Sequence, residues 1–458
     1  MPRLQTESLS ACTACDPYEE VADPAAFAAL VAAHLLAPGA DAVVVGASVE
    51  FARRGQGRGL AQHRVVLRDA AGEREAQVSA VVFDGAQRAA RAWGRVAATL
   101  PASVGPLLPA ALVADRGILL QTFPFDHQLP ALGRLTAGAW PELAAALAPA
   151  LGRAPERWQA EPARYRVSIR ASVRLTVPAA AAEPERVLYA KVHARTELAT
   201  RDRDLHAALA AAVAADPTAA ELGFAPVVAT LPDRGVVVHA EVTGTPLGDL
   251  LPSPAAGRPA VRRVARALAA LHRLDLPESA PLHDLERSGP ERLRRDAARL
   301  VAARPDLAPL VAEVEAAALA GLVSAEPRAA AVHGDLKPAH VIMDGDRAVL
   351  LDLDKLASGN PVLDVVSMAQ KLSRGRAATG ALGGLAGAFV REYFAHAPTA
   401  WADHFAPQWA AALLAEAANL GKTVRGRERL RERNGRADRP DLLLAQAHAT
   451  LSGVRTAA

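Results

Sequence analysis

One stretch limits the possible fold more than any other: AVHGDLKPAHVIMDGDRAVLLDLDKLASGNPVLD, from Ala331 to Asp364. An apolar run leads to His333, Gly334 and Asp335. A hairpin follows, with VIM and AVLLDL on either side of Asp344–Gly345, a dipeptide suited to the positive φ of a tight two-residue turn. Loop, hairpin and second loop bring residues distant in sequence to one edge of a sheet. His340 lies five and Asp352 seventeen residues after Asp335, so the three polar side chains gather at that edge.

This spacing suits phosphoryl transfer. Kinase catalytic loops place a base Asp five residues before a metal-binding Asn, and a second Asp on a later loop holds Mg²⁺. In that use Asp335 accepts the proton of an attacking hydroxyl. Asp352 holds the ion, because hard cations prefer oxygen. Lys337 is placed to neutralise charge on the group in flight. His333 fixes backbone geometry.

The wording of the stretch resembles the aminoglycoside phosphotransferase family of the protein-kinase-like superfamily. The match lies in H-G-D-L-x-P at His333, Gly334, Asp335, Leu336 and Pro338, in LDLD at 351–354, and in G-x-P-x-x-D at Gly359, Pro361 and Asp364. The resemblance implies an α+β, protein-kinase-like two-lobed fold using ATP and Mg²⁺, with Asp335 as catalytic base and Asp352 as metal ligand. The chain departs from the family at His340, where Asn is usual. Imidazole is a poorer partner for Mg²⁺ than oxygen, so His340 is carried both as a metal ligand and as a nucleotide contact.

Lys191 sits in LYAKV among apolar neighbours, where an ammonium is costly unless anions meet it. The resemblance assigns such a strand lysine to nucleotide phosphates. Glu197, Asp202 and Asp204 are the acids available to steady it, and no motif selects one. The run before Lys191, RYRVSIRASVRLTV, contains no glycine, so no glycine-rich phosphate loop is expected. The resemblance makes Ala240–Glu241–Val242–Thr243, running into Gly244-x-Pro246, the join between lobes, with Ala240 and Val242 presenting backbone to an adenine edge.

With 458 residues the chain is too long for one core. Half its residues are hydrophobic, many of them Ala, and only 4% are aromatic, the signature of a globular, helix-rich protein. A net charge of +3 calls for neither nucleic acid nor membrane. The first twenty residues lack an apolar core for export, and the chain reads as cytoplasmic. Cys12 and Cys15 form C-x-x-C, but no second pair follows to complete a zinc site, so reduced thiols on a tail are expected.

The expected organisation is a flexible tail (1–20), an N-terminal cap domain (21–160), a nucleotide-binding lobe (161–245) and a helical lobe (246–458). EREAQVSAVV beside ERVLYAKVHA, and DRGILLQTF beside DRGVVVHAEV, suggest that 40–135 is a degenerate copy of 163–250. In that alignment Ser79 takes the place of Lys191. Asp364 is expected to tie the helix it opens to the catalytic loop, and His272 to be packed. Beyond 364 the chain reads as helices walling an acceptor pocket. The arginine-rich run 422–439 reads as a solvated helix face; lining the pocket instead, it would disfavour a polycationic acceptor and favour a neutral or anionic one. The function expected is ATP-dependent transfer to a hydroxyl of a sugar, amino alcohol or aminoglycoside-like molecule. The rival reading is a weakly active nucleotide-binding pseudokinase or scaffold.

Overall fold

The computed structural model describes residues 16–457 apart from 56, 98–99, 101–102, 181–183, 278–279, 283–288, 324–329, 374–382 and 422–439. Cys12, Cys15 and the arginine-rich run lie outside the described residues. Two compact units are formed, one from residues up to Arg203 together with Val227–Glu241, the other from Asp204–Pro226 together with Val242–Ala458.

The first unit opens with helices α1 (Pro17–Ala22) and α2 (Pro24–His34). Residues 17–20, expected to belong to a loose tail, are thus helical. Asp16 caps α1 by accepting from the Tyr18 N–H at 3.0 Å, and Pro17 occupies the first turn, where its missing N–H costs nothing. Strands β1 (Ala42–Gly55), β2 (Arg58–Asp69) and β3 (Gly72–Phe83), helix α3 (Ala86–Val96), and strands β4 (Ala110–Val113) and β5 (Ile118–Thr122) follow. They build an antiparallel sheet in the order β1-β2-β3-β5-β4. Helices α4 (Ala131–Thr136) and α5 (Pro141–Leu151) lead to β6 (Gln159–Arg166), β7 (Arg170–Val177), β8 (Arg186–His193) and helix α6 (Thr196–Ala215). After β9 (Leu222–Phe224), strands β10 (Val227–Leu231) and β11 (Val236–Ala240) complete a second sheet ordered β6-β7-β8-β11-β10.

VSIRASVRLTV does not run as one strand. A turn interrupts it, with Ser168 at φ 55°. An unbroken alternation without glycine hides that turn from sequence inspection.

The two sheets share more than strand order. In each, a short helical turn ends on a left-handed glycine that starts the fourth strand of the sheet: Gly117 at φ 63° and Gly235 at φ 68°. The Phe83 N–H donates to Gly117 O at 2.9 Å and the His193 N–H to Gly235 O at 2.8 Å. Val82 faces Ile118, as Val192 faces Val236. In this register Val81, not Ser79, stands where Lys191 stands. The sequence alignment is thus two residues out, which keeps the face and changes the residue.

The sheets bury opposite faces. Leu60, Val81 and Leu119 of the first share an apolar cluster with Val173, Ala190 and Val238 of the second, filled in by α4 and α5. The reverse face of the first sheet, with Val65, Ala80 and Leu120, packs on Phe27 and Val31 of α2. Lys191 alternates with Ala190 and Val192 and so leaves the shared cluster.

The second unit holds β12 (Thr245–Pro246), α7 (Leu247–Leu250), α8 (Pro254–Arg273), α9 (Pro290–Ala303) and α10 (Ala308–Val323), then β13 (Ala330–Val332), β14 (Val341–Asp344), β15 (Arg347–Leu350) and β16 (Ala357–Gly359). Pro305 separates α9 from α10, since proline cannot continue the ladder. Helices α11 (Val362–Ser373), α12 (Gly384–His396), α13 (Phe405–Gly421) and α14 (Pro440–Ala457) complete it. The sheet order is β12-β14-β15-β9, with β13 paired separately to β16. Leu268, Leu271, Met368, Phe389 and Trp409 lie in one helical core beneath these strands. No helix among the described residues is long and apolar enough to cross a membrane.

Candidate active site

Two buried interactions fix the loop after β13. Asp364, in the first turn of α11, accepts the His333 N–H at 2.6 Å on one oxygen and the Gly334 N–H at 2.9 Å on the other. Behind it, His272 of α8 places Nε2 at 3.2 Å from Asp364 and Nδ1 at 2.7 Å from the Tyr393 hydroxyl. Burial raises the Asp364 carboxyl, but the hydrogen bond from His272 and the charges nearby hold it below its ordinary value. Burial also depresses His272. The tie expected of Asp364 is thus a buried chain from α8 and α12 through α11 to two loop amides.

Gly334 adopts φ 74°, and a Cβ there would meet Lys355 O at 2.7 Å. Only glycine lets the first loop lie this close to the second. His333 completes the join with Nε2 at 2.9 Å from Leu351 O. Asp352 takes a left-handed φ of 58°, a conformation costly for a residue with a Cβ and typical of functional loops.

These constraints bring Asp335, His340 and Asp352 together, with one ligand atom of each within 4.8 Å of the others. His340 Nε2 lies 3.5 Å from Asp352 Oδ2. Burial drives the imidazole down to about 4 against the pull of Asp352, so the ring is neutral at pH 7 and has a lone pair to offer. Asp335 has Lys337 Nζ at 3.5 Å and Lys355 Nζ at 3.4 Å. Burial raises its carboxyl, but Lys355, Lys337 and His340 outweigh burial and hold it below the usual range. Lys355 escaped the sequence analysis. Its signal was the cation directly after LDLD.

The other predicted residues lie in the first unit or at its edge. Lys191 pairs in register with Ser172 of β7 and Val237 of β11. Its Nζ is 4.0 Å from Asp202 Oδ2 on α6, which selects Asp202 from the three acids the sequence left open. His193 and His239 also turn Nε2 toward that carboxylate, at 3.6 and 3.8 Å. Ala240 ends β11 opposite Leu188. Val242 follows where the chain passes into the second unit.

The sequence profile of the phosphotransferase enzyme family (APH) matches residues 162–432, more than half of the chain. The chain belongs to that family. This APH-family phosphotransferase has the α+β, kinase-like fold, with an additional β-sheet region ahead of the matched part. No curated protein matches it. Solved structures with similarity include a streptomycin–ATP ternary complex of APH(2")-IIa, at 13% identity over 64% of this chain and 93% of that one, TM-score 0.39. A choline/ethanolamine kinase family protein from Mesorhizobium loti matches at 16% identity over 69% and 98%, TM-score 0.42. An ADP and hygromycin B complex of an APH(4)-Ia mutant matches at 13% over 68% and 98%, TM-score 0.41.

Proposed function

We propose that this phosphotransferase moves the γ-phosphoryl group of ATP to a hydroxyl of a small molecule such as a sugar, amino alcohol or aminoglycoside-like compound. The observation that supports this reading most is the gathering of Asp335, His340 and Asp352 on loops held by Asp364 and His333. Asp335, ionised at neutral pH, orients the acceptor hydroxyl and takes its proton. Lys337 and Lys355 offset the charge that develops beside it. Lys191, steadied by Asp202, draws on the nucleotide phosphates. Ala240 and Val242 offer backbone groups to the base.

Two carboxylates and a neutral ring nitrogen so close together suit a divalent cation. Asp352 and His340 would hold it, and when bound it would neutralise phosphate charge. The nitrogen donor favours Mn²⁺ over Mg²⁺ more than an Asn oxygen would.

The test is a screen of hydroxylated metabolites, including sugars, amino alcohols and aminoglycosides, for acceptor-dependent ADP release with Mg²⁺ and with Mn²⁺. Stimulation by one chemical class identifies the acceptor. A second reading, a nucleotide-binding protein with little transfer activity, draws on His340 in the Asn position and on the glycine-free turn before Lys191. Slow turnover that no acceptor stimulates would favour it.

A further inference from the structure

The turn between β6 and β7 occupies the place of the glycine-rich loop that covers phosphates in kinases, yet here it is sealed. Val167 is fully buried and Ser168 is 2% exposed. Both amides are already in use. The Ser168 N–H donates to Asp126 Oδ2 at 2.6 Å, and the Val167 N–H to Gln62 Oε1 at 3.3 Å. Asp126 Oδ2 also accepts the Tyr165 hydroxyl at 2.9 Å, while Oδ1 accepts the Gln128 N–H at 2.8 Å. Gln62 belongs to β2, and Asp126 follows β5, so both acceptors come from the N-terminal sheet region. A second layer holds them: Gln62 Nε2 donates to Glu50 at 3.0 Å, and Gln121 Oε1 accepts the His127 N–H at 2.6 Å.

A phosphate-covering loop works by pointing free amides at an anion. This turn points them at a carboxylate and an amide oxygen. The buried carboxylate would itself repel phosphate. The turn is therefore a joint between the two sheets. What the joint holds is β7, and β7 carries Ser172 directly opposite Lys191. We propose that Asp126 and Gln62 are positioning residues for nucleotide: by taking the turn amides they fix the β6–β7 hairpin as a strut that sets Lys191 against the phosphates. The N-terminal region is then part of the nucleotide site's support. This inference rests on the kinase reading of Lys191.

The test uses the full-length protein and three variants, Asp126→Ala, Lys191→Ala and the double substitution. The non-hydrolysable analogue adenylyl imidodiphosphate serves as probe. Amide hydrogen exchange at residues 166–169 reports the turn without any need for activity. In Asp126→Ala, exchange at Val167 and Ser168 rises, analogue binding weakens about tenfold, and the double variant binds no worse than Lys191→Ala, because linked groups do not add. KM for ATP rises more than kcat falls. Should Asp126→Ala not fold, Asp126→Asn, which keeps the volume and one acceptor, is expected to show about a threefold loss with the same non-additivity.

Faster turn exchange with unchanged affinity would overturn the inference and leave the kinase reading standing. So would an effect that adds in full to Lys191→Ala. Absence of nucleotide binding by the unsubstituted protein would remove both.

Discussion

The two five-stranded sheets have one plan and opposite uses of the same face. Position by position, Lys191 of the second corresponds to Val81 of the first, His193 to Phe83, and His239 to Gln121. The helix after the third strand begins three residues on in both, at Ala86 and Thr196, so Asp202 corresponds to Ala92. A lysine and two histidines of one sheet, with an acid on the helix after it, become apolar or neutral residues in the other. The reason is packing. In the first sheet this face lies in the apolar cluster against the back of the second. An ammonium there would lose its hydration without gaining an anion. In the second sheet the same face keeps Lys191 beside Asp202. A shared backbone plan therefore fixes where a charged group can stand, and burial decides whether it does.

The hardest test of this comparison is to write the lysine back. Val81→Lys is expected to cost at least about 4 kcal/mol, the range of buried unpaired charges, read as a large fall in the denaturant midpoint. A well-folded Val81→Lys with unchanged stability would break the comparison. The converse change is milder for the fold and severe for function. Lys191→Ala is expected to lower phosphoryl transfer about a hundredfold or more, the scale of losing one preorganised charge, with the unfolding midpoint little changed. Val81→Ala should leave transfer within about twofold and cost about 1–3 kcal/mol through its cavity. If both alanine variants lost transfer equally, the faces would not differ as described.

Much of this plan was legible in the sequence, and the misses have physical causes. The hairpin around Asp344–Gly345 was legible because that turn chemistry is local. The roles of Asp364 and His272 followed from motif order and helical patterning. Asp202 was among three acids named beside Lys191 but could not be singled out from Glu197 and Asp204, since which acid on a helix meets a strand lysine depends on helix rotation and not on spacing alone. Lys355 was missed because its approach to Asp335 depends on Gly334 letting two backbones touch. The turn at Ser168 was missed because a serine held in the left-handed region by Asp126 leaves no glycine to read. The two-residue error in aligning Ser79 arose because alternating apolar residues match equally well at any even shift.

Smaller effects sharpen the same comparison. Gly117 and Gly235 hold matching left-handed turns, but a Cβ would meet Phe83 O at 3.2 Å in the first and His193 O at 2.6 Å in the second. Both alanine substitutions pay the roughly 1–2 kcal/mol of that conformation. Gly235→Ala should cost more, with thermal unfolding of the two variants as the measurement. The first sheet also carries a pH dependence of its own. His63, stacked on Phe27 with Nε2 2.8 Å from Val21 O, has its pKa lowered, mainly by burial. Below its ordinary value of 6.5 the unfolded chain takes up a proton that the folded one resists. Stability therefore falls as pH drops through that value. His63→Phe should flatten this part of the stability–pH curve, visible as a smaller shift of the melting midpoint between pH 7 and pH 5.

The most direct measurement of the central claim compares Asp335→Asn with the unsubstituted chain in two assays, acceptor-dependent ADP formation and binding of adenylyl imidodiphosphate. The account predicts that ADP formation falls by about 10²–10⁴-fold, the range for a lost general base, while nucleotide affinity stays within about threefold. ADP formation at an unchanged rate in Asp335→Asn would contradict it.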